Sequence, residues 1–311
     1  MAEIIQHTGT WTFDGEKLRI VPASGKHMHP LRKALGEVAV PLTALASVAH
    51  EPGKKGGRLR LRLREGADPL AQVAGGRLPD ASDPYQLAVE RDRMGVAEYF
   101  VDEVRHALLL DEVPDTPCDR YLLPGPAVPL TANGSDGTAS FDGERVQLEW
   151  NWLAEDSKSH GGPGVLTLEE LAGVEWTPAI GWENGSLRFL PKGRYPVLKP
   201  QHDPHCLTLW GVRQARETGG AVLLAAAVVA RLPHPLAPPG SPRTDAAAAR
   251  QGALRKSPGG EPPQETGPED RADSGHDVLL RRLRELGELH GAGVLTDEEF
   301  TAAKKAVLAQ F

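Results

Sequence analysis

"GTWTFDGEKLRI" at residues 9–20 returns as "GTASFDGERVQL" at residues 137–148. Six of the twelve positions are identical at an offset of 128: Gly9/Gly137, Thr10/Thr138, Phe13/Phe141, Asp14/Asp142, Gly15/Gly143 and Glu16/Glu144. Asp-Gly between alternating apolar residues signals a two-residue hairpin, with positive φ expected at both turn positions. Strand alternation then places Trp11 and Phe13 on one face with Leu18 and Ile20. In the second copy Phe141 joins Val146 and Leu148 in the same way.

The likeness extends along the chain in constant order. "LTALASV" at 42–48 matches "LEELAGV" at 168–174, "GRLRLRL" at 57–63 matches "GSLRFLP" at 185–191, and "DPYQLAV" at 83–89 matches "DPHCLTL" at 203–209. The offset drifts from 128 to 120, as loop insertions and deletions require. This is a duplicated domain, with copies expected at 1–112 and 130–236 and a proline-rich linker at 113–129. Each copy reads as several short strands closed by one helix. In the first, Ala97, Phe100, Val101, Val104 and Leu108 form an apolar stripe over about residues 94–110, opposite Glu98, Asp102, Glu103 and Arg105. The second ends in "GGAVLLAAAVVARL", apolar all round, so either the other copy or another subunit is expected to cover it.

Composition narrows the function classes. The 311 residues are 40% hydrophobic and carry a net charge of −7, which argues against a role as a general nucleic-acid binder; no specific nucleic-acid recognition is expected. Two isolated cysteines, Cys118 and Cys206, suit a reducing cytoplasm. The N-terminal residues lack a signal-peptide pattern. The longest apolar run, 221–230, is half of the roughly 20 residues that span a bilayer. A cytoplasmic protein is expected.

Residues 237–276 are rich in Pro, Gly, Ala and charge without apolar period, and read as a disordered tether. An α-helical hairpin follows at 277–311. Leu279, Leu283 and Leu286 mark one face of its first helix. Thr296 with Glu299 forms a capping box at the start of the second, and Leu295 with Phe300 a hydrophobic staple. Phe300, Ala303, Val307 and Phe311 continue that apolar face. About 35 residues are too few to bury a stable core alone. Leu279, Leu283, Leu286, Leu295, Phe300 and Val307 are therefore expected to mediate self-association or contact with a protein partner; docking on the body of the chain is the plainer alternative.

Two resemblances follow from these residues. Leu283, Leu286, Gly293, Val294, Leu295, Thr296, Glu298, Glu299, Phe300 and Lys304 resemble the short C-terminal domain found at the ends of many bacterial proteins. The "FDGE" hairpins, "L-x-x-L-A-x-V" segments and paired "DP" strands resemble an actinobacterial family, domain of unknown function 4429. That family is similar to the bacterial pleckstrin-homology-like fold. The resemblance implies a mainly β architecture with α: two tandem domains, each a bent antiparallel sheet with a C-terminal helix. Both families imply assembly or binding, and neither supplies a catalytic residue.

The remaining candidates concern chemistry. Arg58, Arg60, Arg62 and Arg64 alternate with Leu59, Leu61 and Leu63, so one face of a strand is basic. This is a possible contact for anionic lipid or another polyanion; the alternative is a solvated strand whose charge resists edge-to-edge pairing. His27, His29, His202, His205 and Cys206 lack the paired spacing of a zinc site and read as incidental. His160 sits in a loop with no nucleophile nearby. Trp150, Trp152, Trp176 and Trp182 read as core, the first two by strand alternation. No nucleophile elbow, phosphate loop or metalloprotease motif occurs, and "ANGSDGTAS" at 132–140 reads as a turn. The expectation is a non-enzymatic scaffold or binding protein without a cofactor, assembled through its hairpin. Peripheral lipid association and an enzyme with scattered site residues are the alternatives.

Overall fold

The computed structural model describes residues 1–238, apart from 26, 27, 55, 161, 163, 181, 182, 194, 195, 197 and 211–213. The helical hairpin, with Leu279, Leu283, Leu286, Leu295, Phe300 and Val307, lies outside the described residues, as do His27, Trp182 and the tether beyond residue 238.

The first half begins with an antiparallel sheet of β1 (Ala2–Gln6), β2 (Gly9–Phe13), β3 (Lys17–Pro22) and β4 (Val38–Pro41), with α1 (Pro30–Leu35) inserted before β4. A second sheet holds β5 (Leu45–Gly53), β6 (Gly56–Leu63) and β7 (Gln86–Glu90), with α2 (Pro69–Ala74) between β6 and β7. Helix α3 (Met94–Leu110) closes the unit. The second half repeats the plan. Strands β8 (Leu130–Asn133), β9 (Gly137–Phe141), β10 (Arg145–Trp150) and β11 (Gly164–Thr167) form one sheet, with α4 (Asp156–Ser159) before β11. Strands β12 (Leu171–Thr177), β13 (Gly185–Pro191) and β14 (Cys206–Leu209) form the other, and α5 (Gln214–Val229) follows.

The duplication extends to single backbone bonds. Leu42 N donates to Glu16 O at 2.8 Å, and Leu168 N to Glu144 O at 3.1 Å. Arg64 N donates to Ala44 O as Lys192 N does to Glu170 O, and Leu61 N to Tyr85 O as Phe189 N does to His205 O. Each copy carries a bulge at the same place, between Leu45 and Ser47 in one and Leu171 and Gly173 in the other.

The two "FDGE" hairpins differ from the expected turn in one respect. Phe13 pairs with Leu18, and Asp14 N donates to Lys17 O, so the central turn residues are Gly15 and Glu16. Only the glycine has positive φ, 108° at Gly15 and 114° at Gly143. The aspartate flanks the turn and locks it by accepting from the amides two and three residues on: Asp14 Oδ1 from Glu16 N and Lys17 N, Asp142 Oδ1 from Glu144 N and Arg145 N. Those bonds hold both carboxyls below their usual range.

Trp11, Phe13, Leu18 and Ile20 are buried together with Leu59, Phe100 and Val104 in the first core. The second core contains Phe141, Val146, Leu148, Trp176 and Phe189, and it runs across α5 into the first copy. There Leu31 of α1 and Leu70, Val73 and Ala74 of α2 pack against it. Residues Ala221–Val228 are all buried, which explains a helix apolar on every side: one face meets its own sheets, the other meets α1 and α2. Val222, Leu224 and Val228 each contribute roughly 1.5–3 kcal/mol by burial.

Two further expectations change, at β6 and at Trp152. β6 is the central strand of its sheet, so its charge does not protect an outer edge along the paired length. Trp152 is 66% exposed. β10 ends at Trp150, where Asn151 turns the chain by accepting from Leu153 N, and alternation ends there. Segment 113–129, expected as a linker, is bonded to the first copy: Cys118 N to Glu65 O, and Leu122 N and Leu123 N to Ala67 O. Among the described residues no helix is long and apolar enough to cross a membrane.

Candidate interaction site beside the arginine strand

All four arginines of the basic strand have partners within the chain. Arg58 Nη1 donates to Asp80 Oδ2 at 2.5 Å, and Arg60 lies 3.9 Å from both Asp80 and Glu51. Arg62 lies 3.8 Å from Asp115. Arg64 donates to the carbonyls of Thr116 and Thr43 at 2.9 and 2.8 Å, tying the strand end to its surroundings. Burial pushes the Asp80 carboxyl up, but the bonds from Arg58 and Gln86 and the charge of Arg60 outweigh it, leaving it below the usual range. In the second copy, Arg188 makes a more buried pair with Asp203 at 3.1 Å.

Just past these pairs the end of β6 borders a groove of about 590 Å3. The groove is lined by Leu61 to Gly66 at and after the strand end, by Ala71, Gln72, Gly75 and Gly76 in and after α2, and by Leu236. Asp68 and Tyr85 form part of the lining. Asp68 caps α2, accepting from Leu70 N at 3.2 Å, Ala71 N at 2.8 Å and the Tyr85 hydroxyl at 2.7 Å. Burial pushes the Asp68 carboxyl above its ordinary value despite these donors, and raises the Tyr85 phenol well above its own.

The chain returns from α5 to complete the groove. His234 Nδ1 accepts from Leu236 N, so Nε2 carries the proton and donates to Gly66 O at 3.0 Å. Its ring meets Tyr121 edge-on at 4.6 Å between centroids. Tyr121 donates to Gln72 Oε1, and burial raises its phenol to about 12. Gly66 is required here: its φ is +75°, and a Cβ would lie 2.8 Å from both Cys118 O and His234 Nε2.

In the second copy a buried ion pair fastens α4 and the turn between β8 and β9 to the last strand. Lys158 Nζ donates to Asp136 Oδ2 at 2.5 Å and Cys206 O at 2.7 Å, and lies 4.9 Å from the Trp150 ring centroid. Asp136 Oδ1 also accepts from Thr208 N, so the turn at 134–136 is anchored to β14.

The histidines and cysteines are dispersed. His29 caps α1 by accepting from Leu31 N, and burial, with the charge of Arg32, lowers its pKa. His160 lies against the Asp156 carbonyl, His202 ends a 3-10 turn, and burial raises the Cys206 thiol. Among the described residues no three His, Cys, Asp or Glu side chains gather as a metal site needs.

The family described as domain of unknown function (DUF4429) matches residues 11–105 and 139–229, more than half of the chain. The chain belongs to the DUF4429 family. The short C-terminal domain (SHOCT) matches residues 281–308. No curated protein matches the chain. The DUF4429 matches begin on β2 and β9 and end in α3 and α5, so each takes in one copy of the duplicated unit except its first strand.

Within the first DUF4429 repeat, sequence reading missed α1 and α2, and with them the groove. At six residues each, both are too short for helical periodicity. Both nonetheless announce themselves by a capping side chain followed by proline, His29-Pro30 and Asp68-Pro69.

Proposed function

We propose that this DUF4429 protein is a non-enzymatic binding scaffold: two pleckstrin-homology-like repeats form its body and the C-terminal hairpin assembles copies of it. The observation that carries this reading is the repeated plan of four strands, three strands and a closing helix, joined to a SHOCT match. Multimers would present the groove of the first repeat several times, so that weak contacts act at raised effective concentration. The four arginines serve chiefly as structural cations in this reading, because anionic lipid would have to displace Asp80, Asp115 and two carbonyls.

Light scattering behind size exclusion tests the assembly. The full chain is expected to elute as a defined multimer and a chain truncated after Gly240 as a monomer. Equal monomeric masses would remove the assembly role and leave the hairpin as a docking element.

A further inference from the structure

We infer that the groove of the first repeat receives an extended peptide, which adds as a strand to the open margin of β6 at Leu61–Leu63. The inference deepens the binding-module reading above and rests on it. Leu61, Arg62 and Leu63, the last three residues of β6, all border the groove. Successive side chains of a strand point to opposite faces, so only a strand margin, with its backbone, presents all of them to one space.

The hydrogen-bond ladder shows why that margin is open. β7 pairs with β6 from Gly56↔Glu90 to Arg60↔Gln86, and Leu61 N continues the ladder by donating to Tyr85 O. The chain then turns away, and Tyr85 N goes to Asp83 Oδ1. Arg64 N points to the other side, toward Ala44 O, so alternation puts the Leu63 amide on the groove side, past the end of the ladder.

The second repeat supplies an internal comparison. Leu45 pairs with Leu63 as Leu171 pairs with Pro191, so Pro191 occupies the place of Leu63. Proline has no amide to offer, and it is a common device for blunting a strand edge. The first repeat retains the donor where the second has lost it. Strand addition therefore belongs to the first repeat alone.

Side-chain chemistry defines the guest. Leu61, Leu63, Ala71, Tyr85 and Leu236 offer apolar contacts to every second residue of a peptide. The charged lining is mixed, with Arg62 and Arg64 beside Glu65 and Asp83, so a guest is selected by its backbone and its apolar residues. The fitting peptide is extended, with an apolar residue at every second position.

The test uses the full chain and a fluorescein-labelled Lys-Val-Lys-Val-Lys-Val amide, read by fluorescence anisotropy. Saturable binding is expected, weakened at least tenfold when the same peptide is N-methylated at alternate residues, which removes donors and leaves charge unchanged. Leu63→Pro, copying the second repeat, is expected to weaken binding by a similar factor. If Leu63→Pro fails to fold by circular dichroism, Ala71→Phe, which fills the groove, replaces it with the same expectation. Absent binding, equal binding of the two peptides, or unaltered binding to a folded groove variant overturns the inference. Light scattering reads assembly without the peptide, so failure of the scaffold reading is recognised separately.

Discussion

Asp68 gathers two backbone amides and a phenol around a carboxyl that solvent barely reaches. Burial favours its neutral form, so its folded pKa lies above the unfolded value. The associated stability is fully present below the unfolded carboxylate pKa and is lost as pH rises through the folded one. Asp68→Asn keeps an acceptor for the helix amides and carries no charge. Its urea midpoint should therefore gain on that of the unmodified protein as pH is raised from 4 to 7. Asp68→Ala should instead cost about 1–2 kcal/mol across that range, because a capping acceptor is lost. A midpoint difference for Asp68→Asn that does not change with pH would show that burial of this carboxyl does not govern its titration.

Helix α3 was legible because seventeen residues carry several turns of an apolar stripe, and Met94–Leu110 matches it. The all-apolar pattern of α5 correctly demanded cover on more than one side, but periodicity names no partner. That cover comes from Leu31, Leu70 and Val73, more than a hundred residues away in the chain. The groove was illegible for the same reason: it needs β7 to leave β6 at Tyr85 and His234 to return to Gly66. Arginine alternation was plain in the sequence, whereas the partners Asp80, Asp115 and Thr116 were set by the fold. At this scale Lys158 is the informative side chain, since it joins α4 to the turn before β9 and to β14. Lys158→Ala leaves Asp136 buried without its cation and should cost about 3–5 kcal/mol in urea unfolding. Lys158→Met combined with Asp136→Asn should recover most of that loss, since Asn still accepts from Thr208 N. No recovery in the double variant would mean that the charge pair itself holds these elements together.

The two repeats share one helix, and that makes them a single cooperative object. With α5 packed between the sheets of the second repeat and the inserted helices of the first, neither can come away without exposing Val222, Leu224 and Val228. Calorimetry should show the two repeats melting in one transition. Val73→Asp, which places a charge on α2 against α5, should lower that whole transition, with a loss of about 3 kcal/mol or more. Two resolved transitions, only one of them moved by Val73→Asp, would instead make the repeats independent. The return of the chain at His234 also decides how the molecule bears load. The polypeptide leaves α5 in the second repeat, yet it is held at Gly66 and against Tyr121, on the first. Tension from anything tethered beyond residue 238 is thus taken up by that hydrogen bond and ring contact before it reaches the end of α5. A pull on the C-terminal segment is felt first at the loop after β6, on the rim of the groove.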